Sequence, residues 1–249
     1  MIHIYGKKEI DLIRASCQIV VETFKLVDKL IRPGIETIEI DKEIENFIRS
    51  KAAKPAFKGY NGFPASSCIS IEDEVVHGIP SKRPLNEGEI VSIDIGVEFE
   101  GFFGDSAKTY AVGQVSSTKR RLMDVTLHAL YEGLNQAKVG GRLSNISHRI
   151  QTVVESANFS VVRDLVGHGV GRKLHEDPQI PNYGLPNSGP RLRRGMVLAI
   201  EPMVCSGRYE VQTKSDKWTV VTEDSSPAAH FEHTIVVTDS EPEILTLSN

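Results

Sequence analysis

A turn-and-strand signature recurs 107 positions apart in this chain, and that repeat limits its possible folds more than any other feature. Leu85-x-x-Gly88-Glu-Ile90-Val91-Ser-Ile93-Asp94 aligns with Leu192-x-x-Gly195-Met-Val197-Leu198-Ala-Ile200-Glu201. The offset of 107 also carries Gly34 to Gly141 and Thr37 to Ser144. Gly78-Ile79-Pro80 meets Gly184-Leu185-Pro186 at 106, so one residue was gained or lost between. Leu-x-x-Gly turns before strands can match by chance, but here helix, cap, turn and strand recur in one order. The expectation is a single domain over residues 1–249, with an internal repeat of approximately 1–115 and 116–249. Each repeat ends its central strand in a carboxylate, which puts Asp94 and Glu201 at equivalent places about a pseudo-twofold.

Periodicity fills in the elements of an α+β chain. Ile10, Ile13, Cys17, Val20, Phe24, Val27 and Ile31 share one helical face within Lys8–Arg32, closed by Pro33-Gly34. Thr37 is expected to cap a second helix, with Ile38, Ile40, Ile44, Phe47 and Ile48 as its apolar positions. A Gly/Pro/aromatic loop covers Lys54–Pro64, and Cys68–Ile71 and Val75-Val76 read as short strands. Glu89–Phe99 reads as a strand buried on both faces. In the second half, Met123, Leu127, Leu130, Leu134 and Ala137 mark a helix ending near Gly140-Gly141, and Ser144 caps another. Strands are expected at Phe159–Leu165, Met196–Met203, Trp218–Thr222 and Phe231–Thr238.

Composition excludes several classes. Lys plus Arg number 29 against 33 Asp plus Glu, a formal charge of −4 with the basic residues scattered, so no nucleic-acid surface is announced. Cys17, Cys68 and Cys205 are odd in number and widely spaced, which argues against a disulfide framework or a cysteine zinc ribbon and for a reducing compartment. The first residues lack the apolar core of a signal peptide, and no segment approaches the ~20 apolar residues of a membrane helix. A cytoplasmic protein without membrane contact is expected.

The chemistry-bearing residues are acids at strand ends. Burying a lone carboxylate costs several kcal/mol unless a charge or donors compensate, so either Asp94 or Glu201 alone would be a satisfied structural acid. Two at equivalent points of a repeat reverse that preference. Asp105, in Gly-Phe-Phe-Gly-Asp-Ser, and Glu232, in His-Phe-Glu-His-Thr-Ile-Val-Val, lie beside further strand-like runs. Four converging acids cannot all ionise without a cation, and oxygen ligands plus an imidazole suit a pair of divalent metals. The imidazole candidate is His168, in Gly167-His-Gly-Val-Gly171-Arg-Lys-Leu-His175-Glu-Asp-Pro178. That stretch is neither a phosphate loop nor a zinc-protease HExxH helix, and no GxSxG supports nucleophilic catalysis. His77 ends an apolar strand and could carry a proton. As lone features His77 and His175 would be ordinary loop histidines; His3, His128, His148, His230 and His233 keep that reading.

The ordered set Asp94, Asp105, His168, Glu201 and Glu232, with His77 and His175, resembles the type I methionine aminopeptidases, pita-bread metallopeptidases. The likeness is strongest in Gly-His-Gly-x-Gly-x-x-x-His-Glu-x-Pro and Ile-Glu-Pro-Met, and it runs from near the N-terminus to about Thr238. The resemblance implies a pita-bread fold, two pseudo-twofold-related helix/strand halves around a curved antiparallel sheet. It also implies two divalent metal ions (Co, Mn, Fe or Zn). Asp94 and His168 would hold one metal each, Asp105 and Glu232 would bridge, and Glu201 would complete the second site and take a proton from the nucleophile. His175 would donate to the developing oxyanion, and His77 would serve the leaving-amine side. The substrate's α-amine would sit on the Asp94 metal. Tyr60, Phe63, Cys68, Leu174, Met203 and Trp218 fall where the family lines its methionine pocket, with His77 and His175 beside it.

The implied reaction removes the N-terminal methionine of nascent polypeptides when the second residue is small. The implied form is a monomer with transient ribosome contact and no specific nucleic acid. Lys119-Arg120-Arg121 and Arg191/Arg193/Arg194 are candidate contact spots, although solvated charges near turns are the commoner explanation of such runs. Phe57 stands where some relatives carry Cys, and Leu174 where a Phe would pack on the methionine side chain. Glu72 occupies a loop that in relatives helps hold a monovalent cation, which is not carried over. The competing readings are a broader aminopeptidase or a dipeptidase of the same fold, and a non-catalytic pita-bread protein that binds peptides, histones or RNA.

Overall fold

The computed structural model describes residues 1–247. Its first half opens with helices α1, Lys7–Leu30, and α2, Thr37–Ser50; its second half opens with α3, Ser117–Leu134, and α4, Leu143–Ser156. The expected face of α1 is the buried one: Ile13, Cys17, Val20 and Val27 are fully enclosed. Each such side chain taken from water contributes ~1.5–3 kcal/mol. The helix lies on a hairpin of two ten-residue strands, Ile90–Phe99 and Phe102–Ala111. The helix comes close to the hairpin at Gly104, where a Cβ would lie 2.6 Å from the Cys17 backbone nitrogen. Only glycine fits there.

All strand pairs are antiparallel among the described residues. The hairpin extends to Cys68–Ile71 and Lys54–Pro55, while a five-stranded sheet in the second half runs in the order Glu243–Ile244, His233–Val236, Val197–Ile200, Val166–Gly169, Glu176–Pro181. Side chains and main chain of Phe102–Ala111 sew the two sheets together. Thr234 Oγ1 donates to the Asp105 carbonyl (2.7 Å), Ser106 Oγ to the Glu232 carbonyl (2.6 Å), and the Glu232 amide to the Ala107 carbonyl (2.9 Å).

Hydrogen bonding reproduces the sequence repeat with one adjustment. The Gly34 and Gly140 amides donate to the Leu85 and Leu192 carbonyls at 2.7 and 2.9 Å, with φ of +87° and +84°. Gly140, not Gly141, is therefore the partner of Gly34, and the helix starts Thr37 and Leu143 correspond. Gly88 and Gly195 keep the offset of 107, with φ of +87° and +85°. The helix caps move accordingly. Glu36 and Arg142 occupy the N-cap positions, and Thr37 and Ser144 lie inside the first turn. Their hydroxyls instead pin the following loops, accepting from the Ser81 and Ser188 amides, each at 2.8 Å.

Two expected strands are interrupted. The run Met196–Met203 breaks at Glu201-Pro202 into Val197–Ile200 and Met203–Cys205, because proline has no amide to give a ladder. Phe159–Leu165 shrinks to Ser160–Val161, and Glu176–Pro181, which lacks an apolar alternation, forms an unexpected strand.

Candidate active site

Five elements deliver acids and imidazoles to one place. Asp94 sits mid-strand opposite Cys68 and Ala107, and Asp105 on the neighbouring strand opposite Gly96. His168 lies opposite Ala199, Glu201 just beyond the end of that partner strand, and Glu232 just before His233–Val236. Gly169 allows this crowding: a Cβ there would fall 2.2 Å from the Asp177 carbonyl oxygen. Asp105, Glu232 and His168 offer one ligand atom each, all within 4.8 Å of one another, and all three residues are buried.

The donor inventory shows what this cluster lacks. Asp94 Oδ1, Asp105 Oδ1 and Glu232 Oε1 are closed off from solvent with no hydrogen-bond partner. Burial pushes all four acids up, Asp94 to about 7, Glu201 to about 8, and Asp105 and Glu232 well above the usual carboxylate range, and neighbouring acids add to the rise at Asp94, Asp105 and Glu232. His168 moves the other way, lowered to about 3 by burial and then by the neighbouring His175, so its ring is neutral. Its Nδ1 lies 3.0 Å from the Gly169 carbonyl, which can only accept. The proton therefore sits on Nδ1, and Nε2 presents a bare lone pair 3.4 Å from Glu201 Oε1 and 3.9 Å from Asp105 Oδ2. Acceptors facing acceptors in a dry site call for a cation. Four carboxylates and one imidazole are the donor set of a divalent metal site.

The acids and His168 form the floor of a cavity of about 360 Å³. Phe57, Tyr60, Asn61, Phe63, Cys68, Leu174 and Trp218 wall it, and His77 and His175 also reach it. Phe63 and Trp218 meet edge to face, ring centroids 5.2 Å apart. His175 faces His168 at 4.3 Å between centroids, and its Nδ1 lies 2.8 Å from the Tyr60 hydroxyl. Burial lowers the His175 imidazole, and burial followed by His230 and His175 lowers His77 to about 4. His77 has a φ of +59°, a strained value for a residue with a Cβ, which marks it as held by its surroundings. The Tyr60 loop is tied down by α2: Asp41 Oδ1 accepts from the Ser66 and Ser67 amides, and Glu45 Oε2 from Lys58 Nζ (2.6 Å) and Ser66 Oγ (3.0 Å).

Met203 falls outside the cavity lining. It packs with Val75, Val76, Val162 and Cys205, because its strand places it behind the cavity wall. Phe57, singled out in the sequence as a departure from some relatives, lines the cavity, as does Asn61, which was not expected there. His230, read from sequence as an ordinary histidine, sits with Nε2 3.5 Å from Glu201 Oε2. Its spacing of two from Glu232 was the available signal, since alternate residues of extended chain share a face. His233 turns away, toward Tyr131 and Thr246. Glu72 pairs with Lys119 Nζ at 2.7 Å and accepts from the Ile90 amide. Of the basic spots, Lys119 is thus engaged internally. So are Arg121, which donates to the Ala157 carbonyl, Arg191 (Gly140 carbonyl) and Arg194 (Asp239).

Comparison with known proteins agrees with this chemistry. Residues 11–239 match the model of metallopeptidase family M24. Methionine aminopeptidase 1 of Bacillus subtilis is 56% identical over 239 residues, 96% of each chain. The methionine aminopeptidase of Clostridium acetobutylicum is 51% identical over 99% of each. A crystal structure of methionine aminopeptidase from Thermotoga maritima superposes with a TM-score of 0.98 at 46% identity, covering 100% of both chains. The chain belongs to metallopeptidase family M24 and has its pita-bread fold. Within that family it is similar, end to end, to methionine aminopeptidases. No helix among the described residues is long and apolar enough to cross a membrane.

Proposed function

We infer that the chain is a metal-dependent aminopeptidase that removes N-terminal methionine from polypeptides, nascent chains above all, when the second residue is small. The observation that carries this is the joining of an acceptor-only floor to an apolar, aromatic wall in one cavity. Residues 1–249 are read as one catalytic, cytoplasmic domain.

Asp94, Asp105, His168, Glu201 and Glu232 would hold two divalent ions. Bound there, such ions polarise a carbonyl and lower the pKa of water. The remaining work belongs to the chain. Tyr60, Phe63, Cys68, Leu174 and Trp218 enclose the methionine side chain, and sulfur–aromatic contacts add ~0.3–1.5 kcal/mol each. Glu201, just past the end of Val197–Ile200 and beside His168, takes the proton of the attacking water. Tyr60 can donate to His175 Nδ1, which leaves the ring proton on Nε2 to stabilise negative charge on the scissile oxygen. His77 stands on the leaving-amine side.

Purified protein supplied with a divalent metal should release methionine from Met-Ala-Ser and lose that activity on chelation. Metal-loaded protein that leaves Met-Ala-Ser intact would overturn the reading.

A further inference from the structure

Glu201 is flanked by two imidazoles, and they are not equivalent. His168 Nε2 faces Oε1 at 3.4 Å and His230 Nε2 faces Oε2 at 3.5 Å. The Gly169 carbonyl fixes the His168 proton on Nδ1, so His168 has nothing to donate to Glu201. His230 is 2% exposed, and its Nε2 is sealed from solvent with no close hydrogen-bond partner. Among the described residues, Glu201 supplies the one carboxylate within 4 Å of that nitrogen.

The main chain of His230 is locked on both sides by Thr109. The His230 amide donates to Thr109 Oγ1 (2.9 Å), and the same hydroxyl donates to the His230 carbonyl (2.8 Å). One hydroxyl has one proton, so Ser92 Oγ, 2.8 Å from Thr109 Oγ1, must be the donor in that pair. His230 also pairs in register with Met203, whose buried side chain lies behind the cavity wall. The backbone that carries the ring is thus held from both halves of the molecule.

We propose that His230 is a positioning residue for Glu201: its Nε2–H donates to Oε2, fixing the carboxylate so that Oε1 is left for the metal side and the attacking water. The role rests on the aminopeptidase reading above. His230 is then neither a ligand nor a proton carrier.

The test uses the full chain with 15N-labelled histidine, metal-free and then loaded with Zn(II), a diamagnetic probe. His230 is assigned by comparison with His230→Gln. The expected spectrum shows a proton on His230 Nε2 in both states, while zinc moves the Nε2 resonance of His168. Displacement of the His230 proton by zinc would make it a ligand and overturn the proposal. In parallel, His230→Leu should lower kcat on Met-Ala-Ser roughly tenfold with KM within about twofold, and His230→Gln, which keeps a donor, should recover most of the loss. Unchanged kcat in His230→Leu, or equal loss in both variants, would also overturn it. A wild-type protein inactive on the peptide would sink the aminopeptidase reading, while the spectra would still decide the His230 proton.

Discussion

The Tyr60 hydroxyl stands 2.8 Å from Nδ1 of His175, joining the loop that walls the cavity to the imidazole beside the acidic cluster. The two residues are 115 apart in sequence, and their rings are 5.2 Å apart by centroid. An imidazole whose Nδ1 accepts from tyrosine has its proton on Nε2, the tautomer needed to donate to a substrate oxygen. His175→Ala should therefore lower kcat by ~10²–10³ while metal content stays near wild type. Tyr60→Phe should cost less, about two- to tenfold, as the loss of one neutral hydrogen bond. Kinetics paired with metal analysis check both; metal loss in His175→Ala would make that residue a ligand.

The buried cage gives a second expectation. Asp105 and Glu232 are 3% and 2% exposed, each with a carboxylate oxygen lacking a partner. Asp105→Asn and Glu232→Gln should each lose metal occupancy and nearly all turnover. Because folding without metal must keep each of these buried acids protonated at a cost that Asn or Gln does not carry, the metal-free variants should be at least as heat-stable as wild type near pH 7. Wild-type metal content and rate in both variants would contradict a shared role for these acids.

A third concerns how α2 holds the cavity loop. Lys58 foremost, with Arg49 and Ser66, overcomes the upward push of burial and holds the Glu45 carboxylate down at about 2. An acid with a depressed folded pKa stabilises the fold above its unfolded value of 4.5, and that contribution fades as pH falls toward 2. Glu45→Gln should then be less stable than wild type by roughly 1 kcal/mol at pH 7. The gap should narrow below pH 4.5 and close near pH 2. Denaturant unfolding of metal-free protein at several pH values measures it, and a pH-independent gap would contradict the ion-pair account.

Much of this site was legible because its parts sit in a repeat. Asp94 and Glu201 were found by alignment of two turns, and His168 by the glycines that the strand crowding at Gly169 demands. What escaped has physical reasons. Thr37 carries the right side chain for a cap, yet Glu36 takes the position because the Thr37 hydroxyl is used across the chain on Ser81. Met203 is apolar and close in sequence to Glu201, but Pro202 breaks the strand and turns the next residues behind the wall. The spacing of two from Glu232 hinted that His230 shares the face of that acid, but its partners Thr109 and Glu201 lie 121 and 29 residues away, and pairing over such distances leaves no pattern to read.

The central claim is that this cavity reads methionine, and peptide selectivity tests it most directly. Leu174, 1% exposed in the cavity wall, offers aliphatic contact where an aromatic ring would grip a thioether, so discrimination against leucine should be modest. Burying a methionine side chain is worth ~1.5–3 kcal/mol, enough to separate it from alanine or a charged residue by about ten- to a hundredfold. The decisive measurement is kcat/KM of the metal-loaded protein across Met-Ala, Met-Gly, Met-Lys, Met-Phe and Leu-Ala peptides. The account predicts Met-Ala and Met-Gly well above Met-Lys and Met-Phe, with Leu-Ala cleaved weakly. Equal cleavage of Met-Lys and Met-Ala, or a preference for leucine over methionine, would contradict it.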